Sequence, residues 1–246
     1  MSSNTDTVAV HGWTAVPRDA NAILKGQPYL HKPDSLLVKD IKFPSDNEVV
    51  SKVQQFAKEK LTSQTYNHSM RVYYFSMAIL HQQFPDHAKT LSSSTLALTC
   101  LLHDIGATHE HIHSTQLSFE FFGGILALDL LSKQLNAPKS QAEAVCEAII
   151  RHQDLGTVGT ITFLGQLIQL ATIYDNMGGN PDMVHVDTRV DVNKAFPRDG
   201  WSRCFSDTIR EENGAKPWAH TTHLGEEDFP NGVLGNKLMA EYDGWK

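Results

Sequence analysis

The chain has 246 residues, 41% hydrophobic and 20% charged, which is enough apolar content to bury one sizeable core. A net charge of −7 without any Lys/Arg cluster excludes the basic footprint of a nucleic-acid binder, and every apolar run falls short of the roughly 20 residues needed for a membrane span. Cys100, Cys146 and Cys204 are scattered, two of them inside apolar helical patterns, which fits reduced core packing rather than a disulfide framework, and the polar N-terminus lacks signal-peptide regions, so a cytoplasmic protein is expected.

Residues 1–44 mix Gly, Pro and polar residues without a lasting period, which predicts an ordered N-terminal arm. Ser45 followed by Glu48 is a capping-box signal, and Val49, Val50, Val53, Phe56, Ala57 and Leu61 then recur at helical spacing. A catalytic core over 45–180 is expected from there. Within it the pattern predicts helices over Ser63–Phe84 (stopping before Pro85), Ser94–His103, Phe119–Leu135, Ser140–His152 and Thr162–Asp175. His109, His111 and His113 alternate in a segment that reads as a polar loop rather than a second metal site. Residues 181–246 are irregular, with short helices expected around Val190–Phe196 and Trp201–Glu212, and predict a C-terminal lid or extension packed on the core. Nothing repeats and nothing alternates convincingly at period two, so the expected class is an all-α bundle without a sheet.

A lone His-Asp dipeptide arises easily by chance. Here His103-Asp104 closes the apolar run Leu96–Leu102, so two polar side chains end a buried helix where desolvation demands partners. His68, on an amphipathic helix, and Asp175, ending the apolar stretch Ile168–Tyr174, are two more polar residues delivered by apolar helices. Singly each reads as a hydrogen-bonded core residue; together His68, His103, Asp104 and Asp175 predict one divalent metal per chain. Two imidazoles and two carboxylates suit Zn, Fe, Mn, Co or Ni better than Mg or Ca, and zinc is favoured.

Beyond this core, blocks including Gly12–Pro17, Tyr66–Val72, Leu98–Ile105, Ser118–Gly124, Glu147–Asp154, Ile161–Thr172, Ala195–Arg198 and Lys216–Thr222 resemble the HD-domain superfamily, and more closely its fungal cyanamide hydratases. The resemblance spans nearly the whole chain. It implies an all-α HD fold, one zinc, hydration of the small neutral substrate cyanamide to urea, and a homo-oligomer. Gln116 departs from the family, where some relatives carry a basic residue.

That chemistry needs a hydroxide from metal-activated water and a proton donor for the nitrile nitrogen. Asp104 is assigned a double role as ligand and proton acceptor. His152, ending its own apolar helix, is assigned to proton donation or substrate orientation, with a supporting hydrogen bond to a ligand carboxylate as the alternative. Asn67, Thr115 and Glu120 are the other candidate substrate-binding residues, and Arg71 is expected to brace the site through a carboxylate. Lys216-Pro217-Trp218 reads as lid or subunit contact. Two rival functions stay open: an HD-type phosphohydrolase, disfavoured because no Lys or Arg lies between Ile105 and Ser132, and a non-catalytic module with a structural metal, disfavoured by the lack of a Cys pair.

Overall fold

Capping side chains decide where the helices begin. In the computed structural model, which describes residues 4–244, helix α1 (Glu48–Lys60) is capped by Asn47, whose side chain accepts from Val50 N at 3.1 Å. Asn47 therefore takes the place expected of Ser45, because its side chain lies one residue before the first helical turn. Thr62 caps α2 (Ser63–Gln83) and Ser92 caps α3 (Ser93–Leu102) in the same way, each cap contributing about 1 kcal/mol. Thr162 caps α6 (Phe163–Met177), which ends on Gly178 at φ +69°, a left-handed conformation that glycine adopts without strain.

Between these lie α4 (Phe119–Asp129), which passes into one π-helical turn over Leu130–Gln134, and α5 (Lys139–Ile150). Ser140 does not cap α5: Pro138 precedes the helix, and Ser140 Oγ instead accepts the Trp13 indole N–H at 3.1 Å. Helices α7 (Val186–Ala195) and α8 (Trp201–Ala215) follow, longer than their sequence patterns predict. The class is all-α. No helix among the described residues is long and apolar enough to cross a membrane.

Three expectations need correction. The arm is not free of helix, since Asn4–Val10 and Ala20–Ile23 are both helical. It also supplies a strand, Ala15–Pro17, that pairs antiparallel with Thr160–Thr162, Val16 opposite Ile161. Strands of three residues are too short for alternation to register in a sequence. Finally, His109–Ser114 is a short helix and not a loop, with Thr108 as its cap.

Helices α3 and α6 are apolar on nearly every face, and such helices can only be satisfied in the middle of a fold; α2 joins them there through its buried stretch 68–80. Phe75, Leu98, Leu101, Leu164, Ile168 and Tyr174 join there in the main core. A second, smaller cluster forms from Phe119 of α4, Trp201, Phe205 and Ile209 of α8, and Phe229 and Val233 of the following Asp228–Leu234 helix. Between α3 and α4 the backbone is pinned at Gly106, where a Cβ would meet Phe119 O at 2.1 Å. Only glycine permits that approach, which holds the turn after Asp104 against the start of α4.

Candidate metal centre

His68 lies in the first third of α2, His103 terminates α3, Asp104 opens the turn Ile105–Ala107, His152 follows α5, and Asp175 lies near the end of α6. Four helices thus bring polar side chains into one buried region. His68, His103 and Asp175 are fully buried, and Asp104 and His152 are 1% and 2% exposed.

The hydrogen bonds on the far side of each imidazole determine what its near side can do. His103 Nδ1 donates to Cys100 O at 2.8 Å and His152 Nδ1 donates to Ile149 O at 2.7 Å; a carbonyl only accepts, so both protons sit on Nδ1. His68 Nδ1 likewise donates to Asp175 Oδ2 at 2.6 Å. Burial outweighs Asp175 and pushes the His68 pKa down to about 4, so the neutral ring prevails. Each of the three rings therefore turns its Nε2 atom inward. His68 Nε2 and His103 Nε2 stand 3.1 Å apart, and both face Asp104 Oδ2, at 3.5 Å and 3.2 Å. His152 Nε2 lies 3.6 Å from Asp104 Oδ1. Both Asp104 oxygens and His152 Nε2 are buried without a hydrogen-bond partner.

Lone pairs and carboxylate oxygens that face one another in a dry interior repel unless a cation lies between them. A metal held at about 2.0–2.1 Å by nitrogen and oxygen puts neighbouring ligand atoms roughly 2.9–3.4 Å apart, close to the spacings among His68, His103 and Asp104. These three form a buried group able to hold an ion. Asp175, expected as a fourth ligand, is placed differently. Its oxygens accept from His68 Nδ1, from Arg71 Nε and Nη2, and from Arg198 Nη1 at 2.7 Å, so it reaches the centre through the back of the His68 ring. Burial would raise its pKa, but Arg71, Arg198 and His68 hold the carboxyl far below the usual range.

Residues 65–177 match the HD domain family. Over 226 residues the chain is 41% identical to cyanamide hydratase DDI2, and equally to cyanamide hydratase DDI3, both of Saccharomyces cerevisiae, an overlap covering 92% of this chain and 96% of each relative. The chain belongs to the HD-domain cyanamide hydratases. An HD domain implies a bound divalent metal, and the buried His68, His103 and Asp104 fit one.

In this cyanamide hydratase family member the other predicted residues are dispersed. Asn67 Nδ2 donates to Pro197 O at 3.0 Å, and Arg71 braces Asp175 as expected. Thr115 is half-buried, and its hydroxyl accepts from Leu117 N at 3.2 Å in a local turn. Glu120 is fully buried: Oε1 accepts from Thr221 Oγ1 at 3.0 Å, while Oε2 has no hydrogen-bond partner. Trp218 is 59% exposed, and its indole N–H donates to Gln116 O at 2.8 Å.

Two parts of the centre escape sequence reasoning. Trp201 stacks on His68 with centroids 4.3 Å apart and planes 14° apart, and Phe205 stacks on Trp201 in turn. Arg198, also from the C-terminal region, completes the grip on Asp175. The Ala195–Arg198 block hinted at the second; nothing marked the first, since an aromatic in an amphipathic helix reads as ordinary core.

Proposed function

We propose that the chain hydrates cyanamide to urea at this buried centre. The observation that carries the reading is the inward-facing set of His68, His103 and His152 Nε2 atoms around the unpartnered Asp104 carboxylate, within a chain related over nearly its full length to two proteins named cyanamide hydratase. His68, His103 and Asp104 hold the metal, and Asp175 orients His68. Zinc is the metal proposed, since imidazole nitrogen with carboxylate oxygen suits it and an all-oxygen cation would find too few oxygens. When bound, such a metal supplies a water whose pKa is brought toward about 7 and a positive charge that polarises a nitrile.

The remaining steps fall to side chains. His152, its proton fixed on Nδ1 by Ile149 O, offers Nε2 as the base that takes a proton from the attacking water and returns it to the nitrile nitrogen. Asp104 Oδ1, 3.6 Å from that Nε2, stabilises the imidazolium formed in between. Glu120 Oε2, buried and without a hydrogen-bond partner, accepts from the amino end of the substrate. Water and cyanamide together contain all the atoms of urea, so no other reactant is needed.

Size and charge favour this over phosphate-ester hydrolysis. A centre so completely buried admits a molecule of a few atoms more readily than a nucleotide. Among the described residues the buried cations around it are already committed, Arg71 and Arg198 to Asp175 and Lys216 to Glu212, leaving none for a phosphate. A homo-oligomer is part of the same proposal, supported by exposed Trp218 beside exposed Leu117. The test is to incubate the metal-loaded protein with cyanamide and, separately, with nucleoside monophosphates and p-nitrophenyl phosphate. Urea from the first and no phosphate from the others is the expected result; phosphate release without urea would overturn it.

A further inference from the structure

The short helix His109–Ser114 reads His109-Glu110-His111-Ile112-His113, an H-E-x-x-H spacing. That spacing matters only on a helix, where residues four apart share a face, and this segment is one. The rings of His109 and His113 accordingly lie together, with centroids 4.7 Å apart. Opposite them α8 presents Glu211, whose Oε1 accepts from His109 Nδ1 and, at 2.9 Å, from His113 Nε2. One atom from each of the three residues lies within 4.8 Å of the others.

We infer that His109, His113 and Glu211 form a second metal site, separate from the buried centre, that takes a divalent late transition metal such as zinc. Two imidazole nitrogens on one helix with a carboxylate from another is the donor set of a three-ligand zinc site, which leaves a coordination position for water. The surroundings leave room for it, since His109 and Glu211 border a cleft of about 340 Å³ also lined by Lys60, Thr65, Cys204 and Thr208. In the metal-free arrangement two N–H groups converge on one carboxylate oxygen. A dication would replace both protons there, with the exposed side chains opening slightly to admit it. The histidines are 80% and 48% exposed, so solvent ions reach them directly, and the site is expected to bind more weakly than the buried one.

Occupancy would tie together two segments that wall the buried centre. The His109–Ser114 helix follows the turn that Asp104 opens, and α8 carries Trp201, which stacks on His68. The expected consequence is a clamp that stiffens this wall from outside.

The test uses the full-length protein with its buried centre filled, titrated with Zn²⁺ and, for a spectroscopic signal, with Co²⁺. A second equivalent should bind and raise Tm by roughly 5–10 °C at a hundredfold excess over its Kd. The double variant His109→Ala/His113→Ala and the single variant Glu211→Gln should each weaken that equivalent by about tenfold or more while keeping the first. No second equivalent in the wild type, or one held as tightly by both variants, would overturn the inference. So would a second equivalent lost on His220→Ala alone, because Asp154, His220 and His223 form a different group of possible ligands. Should the double variant fail to fold, Glu211→Gln decides, since unchanged second-equivalent affinity there is equally fatal.

Discussion

Arg198 Nη1 donates to Asp175 Oδ1 at 2.7 Å and to the Asp175 main-chain oxygen at 3.1 Å, with both side chains fully buried. The same guanidinium reaches Ser202 and Asp243, so one residue binds the C-terminal region to the end of α6. Removing one partner of a buried pair leaves the other charge uncompensated and costs about 3–5 kcal/mol. Arg198→Ala is expected to lose stability on that scale in denaturant unfolding. Arg198→Lys should recover only part, because an ammonium cannot span three partners as a planar guanidinium does. A variant within about 0.5 kcal/mol of wild type would show that Arg71 alone satisfies Asp175.

Metal content separates direct ligands from supporting ones. His68→Ala and His103→Ala are each expected to be purified without metal. Asp175→Asn should keep the metal with affinity lowered about 10–100-fold, the usual effect of losing the group that orients a ligand imidazole. Elemental analysis under graded chelator checks this, and an Asp175→Asn protein as empty as His103→Ala would make Asp175 a direct ligand.

His152→Ala should retain its metal and its fold and lose on the order of 10² to 10⁴ in kcat, the scale of general acid–base catalysis. A metal-free variant would move His152 into the ligand set, which its unpartnered Nε2 permits. Normal turnover with normal metal would reduce it to support for Asp104.

Glu212 predicts a pH dependence. Burial and the neighbouring Glu120 outweigh Lys216 at 3.3 Å and raise its pKa to about 7. Unfolded, the group titrates near 4.5, so between these values the folded state binds more protons than the unfolded one. The stability that this protonation contributes is full below about pH 4.5 and is lost as pH rises to about 7. Glu212→Gln cannot titrate, and its amide oxygen can still accept the Phe119 N–H that Glu212 Oε1 accepts at 2.7 Å. The Tm of the variant relative to wild type should therefore increase from pH 5 to pH 8; a constant difference would mean that Glu212 stays charged throughout.

The kinds of residue at the centre, and the apolar helices that carry them, could be read from the sequence alone. An all-round apolar helix must be buried, and polar residues at the ends of α3 and α6 or on the inner face of α2 must then be satisfied within the protein. Composition and helical period are local properties, and they locate His68, His103, Asp104, His152 and Asp175 without reference to the rest of the chain. Which atom each one offers, and to whom, depends on partners far along the chain. Asp175 meets His68 Nδ1 while Arg71 and Arg198 converge on its oxygens, and His68 and Asp175 are themselves 107 residues apart. Trp201 covers His68 because α8 folds back over α2, and His109 meets Glu211 for the same reason. The three-residue strands and the six-residue His109–Ser114 helix are shorter than the windows in which a period can show, so their neighbours in space, and not their own sequence, decided their form.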